Sequence, residues 1–299
     1  MTRHTAFAAG LLLLAAGCAP VGRGIPDAAL PDYYALVQQE LLARGLMRTE
    51  AAPRDAPITL NSLVENFVEI ALFDEFGVSA GRFVERREAT ALRRWERPVR
   101  VGILIGESVS PAQAEEDRRN VAAFTARLAR LTGLDMTTTN DGLGNFTVMF
   151  LDRAEQRDFA RFLAAEDLTS RPVIASFADS PPEAFCIAYT FGSDNPAEGY
   201  GAALILVKAE HRDLMRLSCI HEEMAQALGL PNDSFRARPT IFNDDEEFAL
   251  LTKHDEILLR MLYDRRLAPG MTEAQIRPLL PTIARDAARA AGVKLGAAS

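Results

Sequence analysis

Apolar residues recur along the chain with helical and strand periods in turn. Between residues 61 and 73, Leu63, Phe67, Ile70 and Phe73 lie three or four apart, which places them on one face of a helix capped by Asn61 or Ser62. Val121, Phe124, Leu128 and Leu131 do the same in a long helix that Ser110-Pro111 opens and Gly133 stops. Shorter helical patterns cover 32–47, 153–164 and 251–264; the last has Thr252 as its cap, Asp255 and Glu256 in its first turn, and Ile257, Met261 and Leu262 inward. Between them, runs rich in β-branched and aromatic residues at 97–105, 146–151, 185–191 and 202–207 predict strands, with a glycine- and asparagine-marked turn region over 192–201. The order is β, α, β, α, β, β and then helices, an α+β arrangement that a mixed β-sheet with helices on one face satisfies. An alanine-rich tail after Pro281 predicts a surface helix ending near residue 292.

The last strand runs almost directly into residues 217–233, where an apolar stripe meets a dense polar face. Leu217, Ile220, Met224 and Leu228 fall on one side of the helix and Ser218, Glu222, Gln226 and Gly229 on the other, so one face is expected to be buried and a polar one presented. Residues four apart on a helix project side by side and can hold one ion, while a carboxylate between them reaches a metal-bound water. On that logic Glu222 and Gln226, four apart, could share an ion. Carboxylates and amides are hard oxygen donors that suit calcium or magnesium better than zinc. The alternative is an amphipathic helix whose polar face is simply hydrogen-bonded or solvated.

Composition narrows this picture. A chain of 299 residues, 48% hydrophobic and 25% charged, supports a soluble body of one or two domains. A net charge of -8 without any long lysine or arginine run argues against nucleic acid as a partner. At the N-terminus Arg3 and His4 precede an apolar run over 6–16, too short to span a membrane, which ends in Leu14-Ala15-Ala16-Gly17-Cys18. The chain therefore divides into a signal peptide (1–17), an anchor and proline-punctuated tether with one helix (18–57), the main domain (58–270), and a C-terminal helix and tail (271–299). With Cys18 set aside, Cys186 and Cys219 remain; an even count in an oxidising compartment favours one disulfide over two buried free thiols. His211 and His254 are expected as cap or surface residues rather than ligands, and Trp95 as a core residue. The acidic run Asp244-Asp245-Glu246-Glu247 is expected to be a solvated loop, a calcium contact being the alternative.

Several stretches resemble known families. Residues 14–18 resemble a bacterial lipobox, which implies a lipidated Cys18 on the periplasmic face of a bacterial membrane, the outer membrane by preference; Ala15 stands where leucine is usual, which leaves plain secretion as the alternative. Glu222-Glu223-x-x-Gln226-x-x-Gly229-x-x-Asn232 resembles the HExxHxxGxxH motif of metzincin peptidases, with the glycine kept as Gly229 and the three histidines replaced by Glu222, Gln226 and Asn232; the resemblance implies Glu222, Gln226, Asn232 and the neighbouring Asp233 as candidate metal ligands and Glu223 as candidate general base. Residues 251–263 resemble the helix that closes metzincin catalytic domains, and residues 240–244 occupy the place of the Met-turn without a methionine. The implied fold is zincin-like, with an antiparallel edge strand before the active-site-type helix and a helical C-terminal part. Over roughly residues 60 to 270 the chain also resembles an uncharacterised family of bacterial secreted lipoproteins, through Asn66-Phe67, Trp95, 98–101, 130–133, Glu222-Glu223, Gln226, 228–230, 232–234 and 242–244. The replaced ligands favour a non-catalytic module that binds a peptide or envelope partner with no cofactor. The alternatives are a divergent metal-dependent peptidase using Glu223, with a divalent metal at the degenerate site, and a scaffold at the membrane.

Overall fold

A computed structural model describes residues 24–79, 82–139, 142, 144–195, 198–243 and 245–296; the lipobox with Cys18, the 1–17 segment and Asp244 lie outside them. In chain order come α1 (Leu30–Ala43), α2 (Leu60–Ala71), β1 (Phe73–Ser79), β2 (Arg82–Ala89), β3 (Val99–Ile105), α3 (Pro111–Thr132), β4 (Met136–Thr138) and β5 (Phe146–Leu151). They are followed by α4 (Arg153–Ala165), α5 (Arg171–Ala178), β6 (Cys186–Gly192), β7 (Tyr200–Lys208), α6 (Asp213–Gln226), α7 (Lys253–Leu262), α8 (Glu273–Ile276) and α9 (Leu280–Ala290).

Strand β5 is buried at every position because helices cover both faces of the sheet at whose centre it lies. Val148 and Phe150 face a large core shared with α2, α3, α6, α7 and α9, whereas Met149 and Leu151 pack with Ala160, Leu163, Val173 and Phe177 of α4 and α5. The expected mixed sheet is present, but with helices on two faces rather than one. Its five strands run in the order β4-β3-β5-β7-β6; β4, β3, β5 and β7 are parallel, and β6 lies antiparallel to β7 at one edge. The strand leading into α6 is therefore the interior β7, and the edge strand is the one before it.

Local chemistry sets the element ends. Thr59 caps α2, two positions ahead of the expected Asn61: its hydroxyl accepts from the Ser62 amide (3.0 Å) and the Ser62 hydroxyl accepts from the Thr59 amide (3.0 Å). Thr252 caps α7 as expected, with Asp255 reciprocating. The carboxylate of Asp255 also accepts from Thr240 Oγ1 (2.5 Å), pinning the 237–243 loop, where Phe242 is buried below α6.

The peripheral segments are more tightly integrated than their sequence suggests. Leu30, Tyr34 and Leu41 of α1 are buried, and Gln38 Oε1 accepts from the Met215 amide of α6 (2.8 Å), where a loosely packed tether was expected. Helix α9 buries Leu280, Ile283, Ala284, Ala287 and Ala288 in the main core instead of riding on the surface. His254 and His211 are also interior. Asn66 Nδ2 donates to His254 Nε2 (3.0 Å), and His211 Nε2 donates to the Phe185 carbonyl (2.7 Å), with burial pushing the His211 imidazole down to about 3.

Candidate functional site

Helix α6 is gripped from several sides. Met215, Arg216, Ser218, Cys219, Ile220, Glu223, Met224 and Ala225 are all buried, so the expected exposed polar face shrinks to the half-buried Glu222 and Gln226. Cys219 is bridged to Cys186 of β6 (S–S 2.21 Å), which joins the edge strand to the helix. On the far side Arg216 Nε and Nη2 donate to Asp117 of α3 at 2.7 and 2.6 Å, and Arg216 Nη1 donates to the carbonyls of Ala209 and His211. Removing the bridge by Cys186→Ala/Cys219→Ala is expected to cost about 3 kcal/mol, because a loop of this length loses much of its unfolded-state entropy when closed; urea unfolding checks it.

The C-terminal end of α6 is satisfied by long-range donors. Trp95 Nε1 donates to the Ala227 carbonyl (2.9 Å) and Tyr263 Oη to the Leu228 carbonyl (2.8 Å), so orphan carbonyls of the helix end find partners. Gly229 follows at φ 123°, and a Cβ there would stand 2.2 Å from the Arg93 carbonyl oxygen. Backbone cannot yield as a side chain can, so Gly229→Ala is expected to destabilise by about 3 kcal/mol through strain and clash together. A shift of the urea midpoint to match would confirm that this glycine sets the exit of the helix.

Glu222 and Glu223 converge on the bridge. One ligand atom from each, together with Cys186 Sγ, lies within 4.8 Å of the others. Glu223 is only 5% exposed, and its Oε2 has no hydrogen-bond partner. Burial, reinforced by the charges of Glu75 on β1 and Glu246, pushes the Glu223 carboxyl up to about 8. Burial and then Asp233, Glu246, Glu223 and Glu75 push Glu222 well above the carboxylate range too. Two adjacent buried carboxyls cannot both shed their protons cheaply, so the pair is substantially protonated at neutral pH.

The remaining expected ligands are engaged elsewhere. Gln226 Nε2 donates to Asp233 Oδ1 (2.8 Å) beside the pair. Asn232 turns to the end of α2, where its Nδ2 donates to the Glu69 carbonyl (2.8 Å) and its amide to that of Ile70 (3.2 Å). His221 stacks on Phe124 at 4.1 Å between centroids, accepts from the Leu251 amide through Nδ1, and is held down to about 3 by burial. Among the described residues, no imidazole stands within that 4.8 Å group of ligand atoms. Glu222, Gln226 and Asn232 thus do not present a joint donor set that fits zinc.

Sequence reasoning missed Glu75, because the β1–β2 hairpin that carries it went unread. It gave Glu246 only as part of an acidic run. That run is not simply solvated: Glu247 accepts from Arg48 (2.8 Å) and Arg238 (2.6 Å), and Asp55 joins the same cluster. Two surface concavities of about 510 and 300 Å³ lie elsewhere, the first against Leu72 and Arg277, the second against Asp27, Arg153 and Glu210. Among the described residues no helix is long and apolar enough to cross a membrane.

Residues 61–282 match the family model described as protein of unknown function (DUF2927), and the chain belongs to that family. No curated protein and no solved structure is significantly similar to it.

Proposed function

We propose that this member of the DUF2927 family is an exported envelope protein, anchored through a lipidated Cys18, whose zincin-like body captures an extended peptide segment of a partner along β6 without hydrolysing it. The observation that carries this reading is the contrast between α6 and β6. On α6 the metzincin-like ligand positions hold a protonated glutamate pair and two amides with other partners, so Glu223 is poorly placed to accept a proton from water at neutral pH. On β6, among the described residues, the ladder is paired to β7 on one side only, which leaves an edge for strand addition. The antiparallel edge strand, the strand entering α6 and the closing α7 helix support the zincin-like likeness. Phe83 of β2 packs at 6.2 Å from Tyr189 of β6, which brings the β1–β2 hairpin beside that strand.

Protein purified with its bridge intact should carry well under one zinc per chain and leave unfolded protein substrates uncut. Unstructured peptides that bind it should slow amide exchange within 186–192 by about tenfold or more. Stoichiometric zinc with proteolysis abolished by Glu223→Gln would restore the peptidase. Binding that leaves β6 exchange unchanged would sink strand addition.

A further inference from the structure

We propose that reduction of the Cys186–Cys219 bridge turns the β6–α6 junction into a zinc site made by Cys186, Cys219, Glu222 and Glu223. The set shares Glu222 and Glu223 with the metzincin-like positions but takes its sulfur donors from the bridge, and it does not depend on the peptide-capture reading. Cys219, Glu222 and Glu223 stand at i, i+3 and i+4 on α6, a spacing that points all three to one side of a helix. Cys186 approaches that side from the edge strand, with its Sγ and one oxygen from each glutamate inside a 4.8 Å group. Glu223 contributes a buried Oε2 that no donor satisfies, which is an acceptor without a partner at the centre of the cluster.

A tetrahedral zinc with bonds of about 2.3 Å to sulfur and about 2.0 Å to oxygen holds its ligand atoms about 3.3–3.8 Å apart. The carboxylate oxygens and Cys186 Sγ therefore close by no more than about 1.5 Å, while Cys219 Sγ, outside that group but bonded to Cys186 Sγ, swings in from the same face of α6 as the two sulfurs separate. Both are side-chain movements. In the oxidised protein neither sulfur is a thiolate and the site lacks its soft donors; reduction supplies two, and with two carboxylates the set becomes one that zinc favours over magnesium or calcium.

The reductant is a dithiol. Its thiolate attacks Cys186, which is half-buried, whereas Cys219 is fully buried. Cys219 leaves as a thiolate and takes up a proton. The second thiol of the reductant then closes on the first, releasing Cys186; two electrons and two protons pass to the cysteines and the dithiol becomes a disulfide. Zinc binding afterwards displaces the thiol protons and those held by the carboxyls.

The test uses the full chain, reduced by a dithiol without oxygen, freed of reductant, and titrated with zinc or cobalt beside the bridged protein. Reduced protein should take up about one zinc per chain and bind it about 100-fold or more tightly than the bridged form. The cobalt complex should show thiolate-to-metal charge-transfer absorption. Glu222→Gln/Glu223→Gln should weaken zinc at least about tenfold in the reduced state. Equal zinc affinity in the two redox states overturns the proposal, as does a cobalt complex without thiolate bands. Unchanged affinity in the double glutamine variant overturns it too, since an unfolded chain could bind through cysteines alone. Circular dichroism separates that case: a reduced chain that unfolds and is not refolded by zinc also counts against the site.

Discussion

Changing Asp117 to alanine is expected to destabilise the protein by about 4 kcal/mol, read as a fall in the urea midpoint at unchanged slope. The carboxylate is fully buried, Arg216 is 3% exposed, and the two are joined by paired hydrogen bonds at 2.7 and 2.6 Å. Removing Asp117 leaves the guanidinium, among the described residues, with the Ala209 and His211 carbonyls and the Phe150 ring, 4.7 Å away, to offset its desolvation. The pair as a whole is a different quantity. Asp117→Leu/Arg216→Met, which removes both charges and keeps volume, is expected to come within about 1 kcal/mol of the parent. A cost below about 1 kcal/mol for the single alanine change would mean that water reaches Arg216 and that the pair does not fix α6. The fixing matters for the site, because Arg216 stands seven positions before Glu223, about two turns, and sets the register of α6 against α3.

What the sequence made legible followed from burial, on one face of a helix or on both faces of a central strand. Strand β5 was read at its observed bounds because its run of apolar and β-branched residues is unbroken, and α7 was read with its cap because Thr252 and Asp255 stand three apart ahead of an apolar stripe. The β1–β2 hairpin was missed because β2 is exposed at every position and carries no apolar alternation to detect. Strand β4 was missed because it has three residues, and α5 because it is only two turns long. The bridge was legible from cysteine count and compartment, and Cys186 and Cys219 meet as that arithmetic favoured. The site was legible in part. The sequence neighbours Glu222 and Glu223 both reach the bridge, but no periodicity reveals that Asn232 is bonded to the end of α2 or that Glu75 arrives from another element.

Stability should fall as pH rises from about 5 to about 8, and Glu223→Gln should remove much of that fall. The sign follows from the direction of the shift. The Glu223 carboxyl is raised from 4.5 to about 8 on folding, so between those values the folded chain holds a proton that the unfolded chain has released. Each pH unit within the window then costs about 1.4 kcal/mol from this group, which by pH 7 amounts to about 3 kcal/mol. Glu222 shifts in the same direction, and Glu75, Asp233 and Glu246 add to the field that raises the pair. His221 does not titrate there, being held down to about 3. Two groups outside the site complicate the raw profile. Glu210 is raised by burial and adds a fall of the same sign, while Lys208, lowered to about 8, makes stability rise with pH only above that value. Comparing parent and variant cancels both, since neither group is altered. The gain in unfolding free energy from Glu223→Gln, measured in urea, is expected to be about 3–4 kcal/mol larger at pH 8 than at pH 5. A gain independent of pH would mean that Glu223 is ionised throughout, and the glutamate pair would then be a standing negative site rather than a proton-holding one.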